Sequence, residues 1–392
     1  MKVKLKDLGK ISTGNTPSKN ISEFYNSEDI GFVKPDMISE QQINFIENTT
    51  EYLAEAARNK ARIVKKNAVF VTCIGSIGKV GIAKNKELAF NQQINAIEPN
   101  EKVLPKYLAY GIFANKRRLQ TISNAPVVPI INKTQFGEFE IDINNDTKEQ
   151  LKVVELLDKV SGVITKRRKE LEKLDELIKA RFIEMFGDPM TNPYNLPKVI
   201  LGSVLTIEPQ NGLYKPQSDY VSDGTGVPIL RIDSFYDGKV SDLSSLKRLI
   251  CSEAELKRYL LYENDIVINR VNSIEYLGKC GLIQGLVENT VFESNMMRLH
   301  IDENKFHPVY ITKLLCSEFT YQQILRRAKK AVNQASINQK DVQSFVVYMP
   351  PIEQQNQFAT FVEQIDKSKA VVQKALDQAQ ILFDSLMQEY FG

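Results

Sequence analysis

The sequence predicts an α+β chain organised as a pseudo-two-fold internal repeat, in which two similar globular α/β modules each precede a long coiled-coil helix. Three observations predict it. The stretch "RFIEMFGDP" (181–189) contains Glu184, Met185, Phe186 and Gly187, and the chain ends in "LMQEYFG", where Glu389, Tyr390, Phe391 and Gly392 repeat that close 205 positions later. The residues before each Phe-Gly carry apolar positions in matching register over nearly 40 residues. Upstream of each helix, a succession of strand-like, glycine-containing and proline-started segments recurs with divergent detail.

The first module is expected over residues 1–145 and the second over 188–348. "NAVFVTCIGSIGKVGIAKNKELAFNQQINAI" (67–97) parallels "NDIVINRVNSIEYLGKCGLIQGLVENTVFESNMMRLHI" (264–301). Each starts with Asn and an apolar, strand-like run, then passes a Gly-Lys-X-Gly tetrad, Gly78 to Gly81 and Gly278 to Gly281. "PKYLAYGIF" (105–113) parallels "PVYITKLLC" (308–316), a proline-started amphipathic helix in each. "IINKTQFGEFEI" (130–141) then parallels "SINQKDVQSFVV" (336–347). By contrast, residues 13–42 and 211–240 differ, so the two modules are expected to read different things.

The helices are expected over 146–187 and 349–392. The first seam runs Val153, Leu157, Val160, Ile164, Arg167, Leu171, Leu174, Ile178, Arg181, Met185. The second runs Phe358, Val362, Ile365, Lys369, Val372, Leu376, Ala379, Phe383, Leu386, Tyr390. Steps of three and four alternate without a break, which keeps one face of a helix against a partner. No proline interrupts either stretch, and each ends at a glycine, the usual stop just past a helix. At ~1.5 Å per residue, 40 residues make a helix of roughly 60 Å. Matched register favours burial of the two seams against each other over two unrelated helices. The polar seam residues Arg167, Arg181 and Lys369 are expected to fix register at some cost in stability.

Composition and motifs exclude several functions. No apolar run reaches the 18 residues that would suggest a membrane span, and "MKVKLKDLGK" has no apolar segment behind its lysines, so it is not a secretion signal. Cys73, Cys251, Cys280 and Cys316 stand apart without a CxxC, which suits free thiols in a reducing cytoplasm. "GSIGK" (75–79) lacks the spacing and the Ser/Thr of a phosphate-binding loop, so a tight turn between strands is expected there. "TNPYN" (191–195) resembles a methyltransferase motif but lacks a proline and a cofactor loop, and reads as a linker. His300 and His307 have no further ligands spaced for a metal. Neither half carries acids and a lysine spaced for a Mg²⁺ nuclease, so no catalytic residue and no metal ligand is assigned.

What remains reads as recognition. A net charge of only +3 permits nucleic-acid binding without arguing for it. Basic and amide residues gather where loops are expected: Arg117, Arg118 and Asn124 in the first module, and Arg326, Arg327, Lys329, Lys330, Asn333 and Gln334 in the second. "NRVNS" (269–273) and "NGLYK" (211–215) add Arg270, Asn272, Tyr214 and Lys215. Arg and Lys can pair with guanine or phosphate, and Asn or Gln can read adenine. A solvated surface is the alternative for each cluster, and their placement after the corresponding helix in both modules favours DNA contact. The run "TKRRKE" (165–170) lies inside the first helix, either as a solvated face or as a phosphate contact.

Taken in order and duplicated, these segments resemble the specificity (S) subunits of type I restriction-modification systems. The residues that carry the resemblance are "TGNTPS" (13–18), "GSIGKVGI" (75–82) followed by "FNQQINAI" (90–97), and the two helices with "ARFIEMFGDP" (180–189) closing the first. It covers essentially the whole chain. The resemblance implies that each module is a target-recognition domain binding one half of a bipartite, asymmetric site in double-stranded DNA. It also implies that the helices pair antiparallel, hold the modules apart and set the unread spacer. Catalysis then lies in partners: two methyltransferase (M) subunits that use S-adenosylmethionine, and ATP-driven restriction (R) subunits in the full complex, with Mg²⁺ implied for those partners and no cofactor in this chain. Half-sites read from one face of B-DNA lie about 34 Å apart, a span that helices of roughly 60 Å can bridge.

The sequence departs from the pattern in two places. "MPPIEQQ" (349–355) enters the second helix through two prolines, whereas "INNDTKEQ" (143–150) enters the first without any. "NRVNS" stands where "TCIGS" stands in the first module, so base-contacting positions are not carried over. Three alternatives are a specificity subunit of a fused, type II-like restriction-methylation enzyme, a stand-alone nuclease or methyltransferase, and a purely structural coiled-coil scaffold, which would not need two divergent folded modules. The missing motifs count against the second.

Overall fold

A computed structural model of the chain describes all residues except 85, 124–127 and 241–242. The predicted binding residue Asn124 therefore lies outside the described residues. The chain divides into two compact units, Met1–Leu171 with Val371–Gly392, and Glu172–Ala370. Each holds one globular module and part of each long helix, so the division crosses both helices rather than following their ends.

In the first module, β1 (Gly9–Thr13), β2 (Asn44–Ile46), β3 (Val69–Thr72), β4 (Val80–Ala83) and β5 (Ile94–Pro99) form one sheet in the order β1–β5–β3–β4–β2. Only β2 and β4 run parallel. β3 buries both faces: Val69 and Val71 join a core with helix α1 (Pro105–Ala114), while Phe70 joins a second core with Phe90 and Ile94. Burial on both sides explains its unbroken apolar run, since alternate strand residues point to opposite faces. A second sheet is built from Ile30–Val33, Glu51–Leu53, Ile63–Val64 and Leu88–Phe90. Helix α2 (Lys116–Thr121) follows α1, and the long helix α3 (Thr147–Phe186) follows the module.

The second module repeats this plan. β6 (Gln210–Asn211), β7 (Phe235–Tyr236), β8 (Gly238–Val240), β9 (Ile266–Asn269), β11 (Cys280–Leu282) and β12 (Met296–Leu299) form a sheet in the order β6–β12–β9–β11–β8–β7, with β10 (Val271–Asn272) continuing the path of β9. The strand order and directions match the first module, with β7 added at the edge. Helix α4 (Pro308–Leu315) packs on this sheet as α1 does on the first, α5 (Glu318–Arg327) follows it, and β13 (Lys329–Lys330) and β14 (Ala335–Ser336) form a hairpin before the long helix α6 (Ile352–Phe391). In each module a short antiparallel pair staples entry to exit: Lys2–Lys4 with Glu140–Asp142, and Lys198–Ile200 with Val346–Tyr348.

The seams are buried as the heptads require. In the first unit, Val153, Leu157, Val160 and Ile164 near the start of α3 share a core with Leu376, Phe383, Leu386 and Met387 near the end of α6. In the second unit, Ile178 and Phe182 near the end of α3 share a core with Phe358, Val362 and Ile365 near the start of α6. Within each unit the two helices therefore run side by side in opposite senses. Val372 is buried, whereas Leu171 and Leu174 are half-buried. The polar seam residues are answered locally: Lys369 pairs with Asp175, Arg167 with Glu170, and Arg181 lies 5.7 Å from the Phe361 ring centre.

The repeated Phe-Gly has a physical role. The Phe186 ring sits 4.7 Å from that of Tyr310 in α4, and the Phe391 ring sits 4.9 Å from that of Tyr107 in α1. Each long helix thus ends by plugging an aromatic ring into a proline-started helix of a module, an arrangement that contributes roughly 0.5–1.5 kcal/mol beyond the area buried. Gly187 then turns the chain with φ +77°, a conformation open to glycine without a Cβ penalty.

A pair of buried glutamines holds the opposite helix ends. Gln150 Oε1 accepts from the Leu104 N–H (2.8 Å), and its Nε2 donates to the carbonyls of Lys102 (2.9 Å) and Asn144 (2.7 Å). Gln355, 205 positions later, accepts from the His307 N–H (2.8 Å) and donates to Lys305 O (3.1 Å) and Pro350 O (2.8 Å). Each side chain satisfies backbone groups that would otherwise be buried without partners.

Candidate nucleic-acid interface

Three strands of each main sheet meet at one end, and the polar loops project from there. In the first module Asn95 faces Thr13 and Ile94 faces Thr72, so the loops after β1 and β3 and the loop before β5 share one edge. In the second, Asn211 faces Met297 and Asn269 faces Met296, which brings together the loops after β6 and β9 and the loop before β12. The chain leaves this edge through Gly14 and Gly212. A Cβ on Gly14 would stand 2.2 Å from Asn91 O, and one on Gly212 would stand 2.3 Å from Glu293 O. Such close approach of two backbones admits only glycine.

The first module's end is lined by amides in a fixed network. Thr16 Oγ1 donates to Gln92 Oε1 (2.7 Å), and Asn91 Nδ2 donates to Gln93 Oε1 (3.0 Å). Asn15 Nδ2 donates to Lys60 O (2.6 Å) while its Oδ1 accepts from the Arg62 N–H (2.7 Å). That clamp brings the basic turn carrying Lys60 and Arg62 to the same end. In the second module Gln210 Nε2 donates to Arg258 O (2.8 Å) and draws in the short helix Glu253–Tyr259, which carries Lys257 and Arg258. Sequence reasoning missed Gln92, Lys60, Arg62, Lys257 and Arg258. The signal was present in "EAARNKAR" (55–62) and "EAELKRY" (253–259), a further repeat that starts on Glu-Ala in both modules.

The residues singled out from sequence fall into three groups. Tyr214 (77% exposed), Arg326, Lys329, Lys330, Asn333 and Gln334 are exposed, and among the described residues their side chains have no hydrogen-bond or ion-pair partner. Arg270 and Asn272 lie at the same end but are partly engaged: Arg270 Nη1 donates to Ser294 O (2.9 Å), and Asn272 Oδ1 accepts from the Ser273 N–H (2.8 Å). Arg117 is exposed, whereas Lys215, Arg327 and Arg118 are tied into the fold. Lys215 bridges Glu255 (3.0 Å) and Asp219 (3.4 Å), and the Glu255 carboxylate raises its pKa. Arg327 donates to Ser344 Oγ (2.8 Å) and Gln323 O (2.9 Å) over the Phe345 ring. Arg118 donates to Asn115 Oδ1, whose Nδ2 holds the Phe391 carbonyl (3.2 Å). Arg117 and Arg118 open α2, beside the end of α6, whereas Arg326 and Arg327 close α5, so the two arginine pairs do not occupy equivalent places. Within "TKRRKE", Arg168 donates to Gln41 Oε1 (2.8 Å) and Thr165 to Gln42 Oε1 (2.9 Å), which fastens that face of α3 to the first module.

The glycine tetrad is a turn. Gly78 N–H returns to Thr72 O (2.9 Å) between β3 and β4, and Gly278 N–H returns to Asn269 O (2.9 Å) between β9 and β11. β4 follows the first turn and β11 the second, so neither presents the helix N-terminus on which a phosphate loop depends. Among the described residues no three His, Cys, Asp or Glu side chains gather to hold a metal ion, and no helix is long and apolar enough to cross a membrane.

Two copies of one module, each with polar loops at the same sheet end and each backed by paired stretches of the long helices, define a protein with two recognition modules. Comparison with known proteins gives the family. Residues 1–174 and 195–380 match the type I restriction modification DNA specificity domain, and the chain belongs to that family as a specificity subunit. The EcoKI specificity subunit of Escherichia coli K12 is 24% identical over 410 residues, covering 97% of this chain and 86% of that protein. The crystal structure of the type I restriction-modification S subunit from M. genitalium has the same fold, with a TM-score of 0.60 at 14% identity, over 100% of this chain and 96% of that one. A structure described under complex assembly and conformational transition of the type I R-M system matches at TM-score 0.54 and 16% identity, over 100% and 97% of the two chains.

Proposed function

We infer that each module reads one half of a bipartite, asymmetric site in double-stranded DNA through its loop-bearing sheet end, and that the paired helices set the unread gap. The observation that carries this reading is the duplication itself. The same sheet end recurs with different side chains, an amide network beside Lys60 and Arg62 in one module and a basic hairpin beside Arg270 in the other. Divergent readers on a common frame suit an asymmetric target, whereas two identical readers would recognise a palindrome.

In this reading the chain carries no catalysis of its own. Two methyltransferase subunits using S-adenosylmethionine and ATP-dependent restriction subunits with Mg²⁺ supply the chemistry, in the cytoplasm. Single-molecule methylation mapping tests it, with DNA from cells expressing this chain and its neighbouring methyltransferase compared with the methyltransferase alone. Methyl-adenine at a split motif, present only with this chain, is the expected result. Assembly of the complex without new methylation would refute the recognition role.

A further inference from the structure

In the second module the segment that follows α5 forms a two-stranded hairpin. β13 and β14 pair Lys329 with Ser336 and Lys330 with Ala335, and the Ala331 N–H closes the turn on Gln334 O (2.7 Å). The far edge of β14 pairs with β10, Asn272 against Ala335, and the Ile337 N–H donates to Arg270 O (3.0 Å). Buried Ala335 and Ile337 anchor the base, so the hairpin stands as a rigid ribbon on the loop-bearing sheet end. All four turn residues are exposed, and Val332 at the tip is 99% exposed. A β-branched apolar side chain held fully in water on a rigid turn contributes nothing to the fold. Around it stand Lys329, Lys330, Asn333 and Gln334, all exposed and without a side-chain partner among the described residues.

One apolar residue ringed by ammonium and amide groups does not make a protein-binding patch, which needs an apolar core. It does match the major groove of DNA, about 12 Å wide, which admits a two-stranded β-ribbon. There the lysines meet phosphates, the amides meet base edges, and the thymine C5-methyl is the apolar group on offer. We propose that the Lys329–Ser336 hairpin enters the major groove of the second module's half-site and that Val332 packs on a thymine methyl, making it a specificity-determining residue. This rests on the DNA-reading function inferred above.

The test uses the chain assembled with its methyltransferase and synthetic duplexes of the mapped motif, with each half-site thymine replaced in turn by uracil, which lacks only the methyl. At one thymine of one half-site, uracil should weaken binding of the native complex about fourfold, the worth of one buried methyl. The Val332→Ala complex should respond there by less than about twofold, while Val287→Ala, an exposed valine on the loop leaving the opposite end of β11, should keep the native profile. Indifference of the native complex to uracil at every thymine, or native sensitivity in Val332→Ala, would overturn the hairpin assignment. A chain-dependent split motif with either outcome leaves DNA reading intact, whereas no such motif refutes that reading and this proposal together. Val332 touches nothing in the fold, so misfolding of the variant is not an expected outcome.

Discussion

His307 and Leu104 occupy the same place in the two units: they precede the prolines that start α4 and α1, and each has its N–H held by a buried glutamine. The histidine adds a titratable cap, its Nδ1 accepting from the Val309 N–H (3.2 Å). Burial pushes its pKa below the usual imidazole value and outweighs the opposing pull of Glu303. The unfolded chain therefore takes up this proton first. Stability from the neutral ring is present above about pH 6.5 and is lost as pH falls from there toward the depressed folded value. Burial raises the Asp265 carboxyl, which has the opposite sign, with stability lost as pH rises through its folded value. A His307→Leu variant, borrowing the other module's residue, removes the first contribution alone. Between pH 7 and 5 its thermal midpoint should fall less than that of the native protein; equal slopes would show that the cap does not titrate with folding. No sequence rule pointed to these residues. The partners of Gln150 and Gln355 are backbone groups up to 50 positions away, and in the one-dimensional string Lys215 and Arg327 look as free as Lys329. Charge and exposure are legible in sequence only where no acid or carbonyl is folded back onto the base.

At the scale of elements, the long helices were the most legible part of the chain, because a period of 3.5 sustained over 40 residues leaves little else that the pattern can mean. The sheets were not legible in the same way. Their strands are two to six residues long and pair across gaps of up to about 150 positions, so strand order follows from tertiary contacts that local pattern does not encode. The seam itself is not uniform. Leu157 is fully buried in a core that continues through α1 into the first sheet, whereas Leu174 and Leu376 are only half-buried. The helix pair is therefore held mainly where a module backs it. Leu157→Ala should cost about 2–5 kcal/mol and Leu174→Ala nearer 1 kcal/mol, since the cost of truncation follows the apolar contact removed. Urea denaturation of the two variants measures the difference. Equal losses would mean that the helix–helix contact, and not the module beneath it, sets the stability of the seam.

At the scale of the whole molecule, duplication was legible because the apolar and glycine positions of the second half follow those of the first at nearly constant offset, and the matched Tyr107–Phe391 and Tyr310–Phe186 contacts give that offset its physical reason. The division into units was not legible, since it follows packing and cuts through each 40-residue helix. One consequence can be measured on the intact complex. Removing residues 168–174 from α3 and 371–377 from α6 takes one heptad from each helix and leaves steps of three and four along both seams, while the Lys369–Asp175 pair is retained. Each helix then shortens by about 10 Å, and its phase changes by only about 20°. If the helices set the unread gap, methylation mapping with the shortened chain should return both half-sites unaltered around a gap up to about three base pairs shorter, at about 3.4 Å per base pair. The half-sites are expected to survive because the loop-bearing sheet ends lie outside the deleted segments. An unchanged gap with preserved methylation would show that the spacing is imposed by the partner subunits. Altered half-sites with the same gap would place sequence reading on the helices, and with it the basic face of α3 around Arg168.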